Sequence, residues 1–560
     1  MEDTVEFACA NWSPDNQQCS GVGKFACKGC FLVLYCGPSC QRSHWRIHKI
    51  DCRHALRKPD WIPQWEIEDR RPAFMDPYAG FLVNKGKDDL WGSTPAFDIL
   101  NLKSNEGINY SKDLDLLLAG KELTFQASGD MRNVVQTVVS IPMEFQNSTN
   151  FYLNDENEHV VARNAIMLLL ALTEDDTAVA TENIMHLWYS AFISKSLLRT
   201  LQTKIRELVQ DVCVKIEGKP SNTILGKTWT FGSKSLRLIL TKRQWYGLCT
   251  YLEIPHGLTT EKAQEIRRKV TLSPSEVDWR ELLDFAQHVE SHRLCRLRFR
   301  EDGVLRPFGS PRDKSLVPNP TLFRDTKTWP LWDTADPLNG WKVFDYLKAR
   351  STAKNDLYGK FIVFLKSLLG RFHRRMHSLK VSFRLLNVDY WDLKDALESG
   401  KYLGVKYFDR IEMSHHFLAH GFLFNFISGM LKGRSENPHA TTITLFNRVI
   451  GAVRISGDEE ILREYINALQ YFPLLRPESE TSTAKLSVVR LARTFVRDVD
   501  KYFNLFVMTC TCELFRRAPA SPGVRNNQEA IDEFMALLGS GNVTGCERYV
   551  EWKLNAANKR

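Results

Sequence analysis

No uninterrupted apolar run in this chain approaches the roughly 20 residues that a membrane-spanning helix needs. The longest, Ala165 to Leu172, is far too short. No helical span is therefore expected, and no membrane partner. The opening Met1-Glu2-Asp3-Thr4-Val5-Glu6 is acidic where a secretory signal or mitochondrial presequence would be basic. The strand-turn-helix at Ala127–Arg132 lacks the G-x-G turn of a dinucleotide crevice, and the phosphate-binding P-loop, the G-x-S-x-G nucleophile elbow and the H-E-x-x-H zinc-protease helix are not found. Internal repeats and low-complexity tracts are also lacking. Hydrophobic content of 43% and charged content of 25% describe an ordinary globular protein, and 560 residues exceed a single core, so two to four domains are expected.

Cysteine is present and clustered. Of 13 cysteines, seven lie in the first 52 residues: Cys9, Cys19, Cys27, Cys30, Cys36, Cys40 and Cys52. Adding His48 gives eight donors, enough for two closed tetrahedral Zn²⁺ sites with no position left for water or substrate. Cys27-Lys-Gly-Cys30 is a tight knuckle in which Gly29 permits the turn, and Cys36-Gly-Pro-Ser-Cys40 is a second close pair. Cys40, His44, His48 and Cys52 recur every four residues, so His48 and Cys52 reach one metal from adjacent helical turns. Reduced thiols that bind metal imply an intracellular protein, in cytoplasm or nucleus. Free thiols or a disulfide scaffold are the alternatives. Cys213, Cys249, Cys295, Cys510, Cys512 and Cys546 are scattered and read as core or surface thiols.

The segment from Cys36 through Trp45 and His48 to Cys52 resembles the end of a MYND-type zinc finger. That resemblance implies interleaved ligands, with Cys9, Cys19, Cys36 and Cys40 on the first zinc and Cys27, Cys30, His48 and Cys52 on the second. His44 then occupies a non-ligand position. Nine residues separate Cys9 from Cys19 where the family often has two, and the loop between them reads as a solvated insertion. The resemblance also implies docking of short, often proline-containing, partner peptides. MYND fingers occur beside SET methyltransferase domains as well, but that domain's Asn-His-Ser-Cys and Tyr motifs are not found. Seven thiolates and two Zn²⁺ lower the formal +9 to about +6. With six Lys/Arg and five Asp/Glu in residues 1–55, the loaded module carries about −2, which disfavours nucleic-acid binding.

Beyond it, residues 56–90 carry Pro59, Pro63, Pro72 and Pro77 and read as a linker across which few contacts pass. Trp61 and Trp65 suggest that it packs along the next domain. Residues 91–470 alternate strand and helix signals. Strands are expected at Leu123–Ala127, Phe151–Leu153, Val381–Leu386, Phe408–Met413 and Thr441–Phe446, and helices at Met131–Ser140, Val160–Leu172 and 417–427. A helical insertion fills about 175–378, and 485–515 and 527–540 read as helices of a C-terminal region from 471. The fold class is thus α/β: a Rossmann-like, methyltransferase-like parallel-sheet body with a large helical insertion, preceded by a small two-zinc cross-braced module.

Trp91-Gly-Ser-Thr-Pro-Ala-Phe-Asp98, Ala127-Ser-Gly-Asp-Met-Arg-Asn133, Asn154-Asp155 and Phe408-Asp-Arg-Ile411 resemble an uncharacterised domain common in fungal MYND proteins. That domain is similar to the N-terminal domain of a ciliary dynein-arm assembly factor. No settled chemistry is implied. In a crevice layout, Gly129 at the turn, Asp155 ending the next strand and Asp389 after a later one are the candidate S-adenosylmethionine contacts. Against this, Gly129 is flanked by Ser128 and Asp130, and the plainer reading gives Gly129 a turn and Asp130 a helix cap. Residues 357–377 read as an amphipathic helix, and His292–Arg300 as a strand with one basic face open to an anionic partner, or as core elements with solvated charge. The leading expectation is a non-enzymatic, zinc-stabilised interaction or scaffold protein, the competing one a divergent S-adenosylmethionine-dependent methyltransferase.

Overall fold

The computed structural model describes residues 6–12, 19–73, 87–92, 94–120, 129–286, 288–312, 316–389, 392–393, 395–396, 404–413, 426–446, 512–518 and 548–554. Two compact units emerge: residues 1–91 with 158–378, and residues 92–157 with 379–560.

In the first unit the cysteine-rich segment forms a short antiparallel hairpin, Phe25–Ala26 with Leu34–Tyr35, followed by the finger helix Pro38–Cys52. Pro38 suits the first helical turn, where its missing N–H has no partner to lose. The finger helix turns His44 and His48 inward. Residues 55–73 then lie along the helical part of this unit, as the tryptophans suggested. Trp61 meets Phe285 edge-on at 5.7 Å beneath the Arg293 guanidinium, and Trp65 is buried.

The expectation that few contacts pass the prolines does not hold. Arg70 reaches Asp278 with two hydrogen bonds of 2.6 and 2.7 Å, and Arg293 donates to the Lys58 carbonyl at 3.3 Å. Further upstream, Asn355 Nδ2 donates to the Cys30 carbonyl at 2.8 Å and its backbone N–H to the Phe31 carbonyl at 3.1 Å. Trp12 Nε1 donates to the Gly309 carbonyl at 3.2 Å. A Cβ on Gly309 would sit 2.9 Å from the Ala10 side chain and 3.2 Å from that of Val33, so the backbone approaches the finger closely there. The finger and residues 158–378 share contacts because both bury residues in them.

The rest of this unit is mostly helical, with an unanticipated hairpin, Ile224–Phe231 against Lys234–Thr241, turning at Gly232 with φ 64°. Helix Glu158–Thr173 covers the expected Val160–Leu172 and is buried along nearly its whole length. Helix Leu357–Ser378 buries Phe361, Leu365, Leu368, Phe372 and Met376 on one face, as the sequence periodicity requires. Full burial of such side chains contributes on the order of 2–3 kcal/mol each.

Residues 292–300 are helical, within Glu290–Asp302, and correct the strand expectation. The alternation of Arg and apolar residues was read at period two, but the arginines satisfy partners at helical spacing. Arg300 pairs with Asp284 and Asp333, and Arg296 with Asp336 at 2.8 Å. Arg293 donates to the carbonyls of Phe285 and His288, and Arg298 pairs with Asp51 of the finger helix. These cations are consumed internally, so this stretch offers no face for an anionic partner.

The second unit is built on a sheet whose strands we number β1 Leu114–Gly120, β2 Thr149–Asp155, β3 Val381–Leu386, β4 Arg410–Met413, β5 Thr441–Phe446, β6 Cys512–Ala518 and β7 Arg548–Leu554. β1 to β5 are parallel in the spatial order 3-2-1-4-5, and β7 follows antiparallel to both β5 and β6. β1 is buried at every position, as a parallel strand covered on both faces should be. The expected strand at Leu123–Ala127 lies outside the described residues, and among the described residues the strand that precedes helix Arg132–Ser140 is β1. The helix expected over 485–515 is overturned at 512–515, which belong to β6. The rest of that helix, the one expected at 527–540 and most of 417–427 fall outside the described residues.

The motif Phe408-Asp-Arg-Ile411 works at the N-terminal end of the parallel strands. Asp409 accepts from Lys432 at 2.8 Å, from Asn437 at 2.8 Å and from the Asp115 backbone at 2.7 Å. Arg410 pairs with Glu106 at 2.8 Å, both fully buried. Ligands in such sheets collect at the opposite, carboxyl end. This motif is therefore a structural tie.

Candidate metal centre

The interleaved arrangement is present. The donor atoms of Cys9, Cys19, Cys36 and Cys40 lie within 4.8 Å of one another, and so do those of Cys27, Cys30, His48 and Cys52. Tetrahedral Zn²⁺ with Zn–S near 2.3 Å and Zn–N near 2.0 Å demands S···S edges of about 3.8 Å and S···N edges of about 3.5 Å. Cys19 and Cys36 sulfurs are 3.7 Å apart, Cys36 and Cys40 3.4 Å, and Cys27 and Cys52 4.0 Å. Cys30 Sγ is 3.3 Å from His48 Nε2. These separations fit a shared metal and are far longer than a disulfide bond.

Backbone geometry prepares the sulfurs for negative charge. Gly21 N–H donates to Cys19 Sγ, Leu32 N–H to Cys30 Sγ and Cys36 N–H to Cys9 Sγ, each at 3.4 Å. Burial, then the neighbouring Cys27 and Cys52, pushes the Cys30 thiol up. A divalent cation is what makes three crowded thiolates tenable. Burial pushes the His48 imidazole down to about 4, keeping it neutral as a ligand must be. All eight donors are used, so zinc held by them would supply structural cross-linking and leave no coordination position open.

Two details differ from the sequence reading. Gly29 serves space and not conformation: a Cβ there would meet Cys52 Sγ at 3.1 Å, while the left-handed turn falls on Phe31 with φ 55°. That conformation costs a non-glycine residue roughly 1 kcal/mol. It is offset by Asn355 on the Phe31 carbonyl and by the Lys354 ammonium 4.2 Å from the Phe31 ring centre. His44 joins neither tetrad, as expected of a spare position, yet it is buried and bonded to the Tyr35 hydroxyl at 3.0 Å.

Residues 16–52 match the MYND finger family model. Cys9 precedes that match, and the fold brings it in: its N–H bonds the Gly21 carbonyl at 2.9 Å beside Cys19. Residues 90–193 match a second model, described only as a domain of unknown function (DUF4470). No curated protein and no solved structure matches the chain at a significant level.

A second place warrants description, at the carboxyl ends of β1 and β2 in the DUF4470 segment. Gly120 ends β1, Asp155 ends β2, and the two are register partners. A Cβ on Gly120 would fall 2.4 Å from Asp155 Oδ2 and 3.5 Å from the Gly129 Cα. Gly129 and Asp155 thus both lie beside Gly120, a residue that the sequence reading does not single out. The sequence reading turns on Leu123–Ala127, which lies outside the described residues, and does not weigh Leu114–Gly120 or the glycine that ends it. Asp155 Oδ1 accepts the Asn157 N–H at 2.9 Å, and the β2 end is laced to residues after β3 by Asn387 Nδ2 on the Asp155 carbonyl at 2.8 Å. Asp389 follows in that loop, exposed, its side chain accepting the Asp392 N–H at 2.9 Å. Asp130 is bound into structure: it pairs with Arg132 at 2.6 Å and accepts the Gly92 N–H at 3.0 Å.

Proposed function

We propose that this is an intracellular, non-enzymatic scaffold or adaptor whose zinc-loaded MYND finger docks short, proline-containing peptides of partner proteins, in cytoplasm or nucleus. The observation that carries the reading is the pair of complete tetrads, which build a surface and leave the metals no open position. The MYND match agrees, since MYND fingers mediate protein–protein interaction. Anchorage by Asn355, Gly309 and Arg298 holds that surface on a helical support, which lowers the entropy a partner must overcome. Calorimetry of the full, metal-loaded chain against a panel of proline-containing peptides tests it. Saturable binding lost in His48→Ala supports the reading. Absence of binding across the panel refutes the peptide specificity.

The second reading is a divergent S-adenosylmethionine-dependent methyltransferase. The strand order 3-2-1-4-5 supports it, because it reverses direction between β1 and β4, where doubly wound sheets take ligands, and Gly120, Gly129 and Asp155 stand at that end. Weighing against it, the Asp155 carboxylate fills the space beside Gly120, and a second anion there would repel a cofactor carboxylate. Titration with S-adenosylmethionine separates the two. Saturable heat removed by Asp155→Ala would move the protein into the enzyme class.

A further inference from the structure

The finger helix Pro38–Cys52 has three faces with different tasks. His44, His48 and Cys52 face the finger's interior, and Asp51 pairs with Arg298 of the helical support. At about 100° per residue, Arg42, Arg46, Lys49 and the adjoining Arg53 fall within an arc of about 60°, roughly opposite Asp51. All four are exposed. Among the described residues, none of their side chains enters a hydrogen bond or ion pair; Arg53 makes a cation–π contact, its guanidinium 5.7 Å from the Trp45 ring centre. Trp45 and Ile50 flank the row on either side, 37% and 67% exposed. This contrasts with helix Glu290–Asp302, whose arginines are spent on internal partners.

We propose that this row is a docking surface for an acidic peptide segment that carries apolar residues among its carboxylates. Four cations in line, without an ion pair among the described residues, over a length of about 17 Å, match the carboxylates of one peptide segment. Trp45 and Ile50 bracket the row where apolar side chains of such a segment would land, a contact that a phosphate backbone does not use. One row a single helix wide also engages few phosphates of a duplex. The inference rests on the interaction-module reading and deepens it by giving the finger a second class of partner, on a face other than the one that meets its own support.

The test uses the full, metal-loaded chain and a fluorescein-labelled synthetic peptide of glutamates interspersed with leucines, followed by anisotropy. Controls are the same peptide with glutamine for glutamate, a short duplex DNA and a proline-containing peptide. Arg42→Gln, Arg46→Gln and Lys49→Gln sit at exposed positions, and zinc content with circular dichroism verifies that each variant folds. Salt-sensitive binding of the acidic peptide is expected, weakened about two- to five-fold by each neutralisation, the range of an exposed ion pair. Failure of the acidic peptide to bind, or equal binding by the triple variant, overturns the proposal. Tighter binding of the duplex also overturns it and assigns the row to nucleic acid. Retained binding of the proline-containing peptide would then leave the interaction-module reading standing, whereas loss of both would remove it too.

Discussion

Removing residues 1–75 is the perturbation that most directly tests how the finger is held. The truncated chain loses Asn355 to Cys30 and Phe31, Trp12 to Gly309, Arg293 to Lys58 and both Arg70 bonds to Asp278, six hydrogen bonds among those described above. At about 1 kcal/mol net each, these amount to about 6 kcal/mol. The half-buried Arg298–Asp51 pair adds up to about 1 kcal/mol. Truncation also strips the cover from Phe285 beneath Trp61. The expected loss, about 7 kcal/mol, is comparable with the whole stability of a typical domain. For a body of this size it corresponds to a fall of about 10 °C or more in Tm. Urea and thermal unfolding of the truncated and full chains, followed by tryptophan fluorescence, provide the assay. Equal midpoints and slopes would refute the reasoning and return the finger to the status of an independent module on a linker.

Metal analysis of the full chain should give two zinc ions, and His48→Ala should release one of them while His44→Ala keeps both. His44→Ala should still cost about 1–3 kcal/mol in urea unfolding, because it leaves the buried Tyr35 hydroxyl without its imidazole partner. Gly120→Ala should destabilise by about 1–3 kcal/mol, since its Cβ would press on Asp155 Oδ2, and unchanged stability would show that the β1–β2 end is looser than described. Burial pushes Asp356 up to about 7, against which the N–H groups of Gly359 and Phe308 pull only partly. A folded value above the unfolded one means that the folded chain binds the proton more tightly. Its contribution is therefore full below about pH 4 and is lost as pH rises through about 7, at up to about 1.4 kcal/mol per unit. Stability measured between pH 5 and 7.5 should carry this downward component, and Asp356→Asn should remove it; an unaltered pH profile in that variant would show that Asp356 does not titrate there.

The metal ligands were legible because coordination chemistry constrains spacing directly: two residues between Cys27 and Cys30, one helical turn between His48 and Cys52. Strands 381–386 and 441–446 were legible because half or fully buried strands leave β-branched and aromatic runs bounded by turn residues. Two failures have physical causes. The segment from Cys295 to Arg300 alternates as a strand would, but its arginines are buried by carboxylates from distant segments, Asp284, Asp333 and Asp336, which no local period reveals. The stretch Leu114–Gly120 carries Asp115 inside an otherwise apolar run, and that acid is tolerated because Lys432, more than 300 positions later, pairs with it at 3.0 Å and Asn150 and Tyr152 donate to it. Likewise Pro59, Pro63 and Pro72 read locally as a linker, whereas the contacts that make residues 58–73 part of a larger unit come from distant residues such as Asp278 and Arg293.

The anchorage of the finger also has a consequence in time. Asn355 closes on the Cys30 carbonyl across 325 positions of sequence. At a synthesis rate of about 5–20 residues per second, the finger leaves the ribosome about 15–60 s before its support exists. Throughout that interval the strained Phe31 turn has no Asn355 to hold it, and the hairpin is too small to persist alone. Early capture of zinc by the nascent chain is then what keeps seven reduced thiols from wrong pairings, so zinc starvation during translation should harm the yield of this protein more than chelation of the finished molecule.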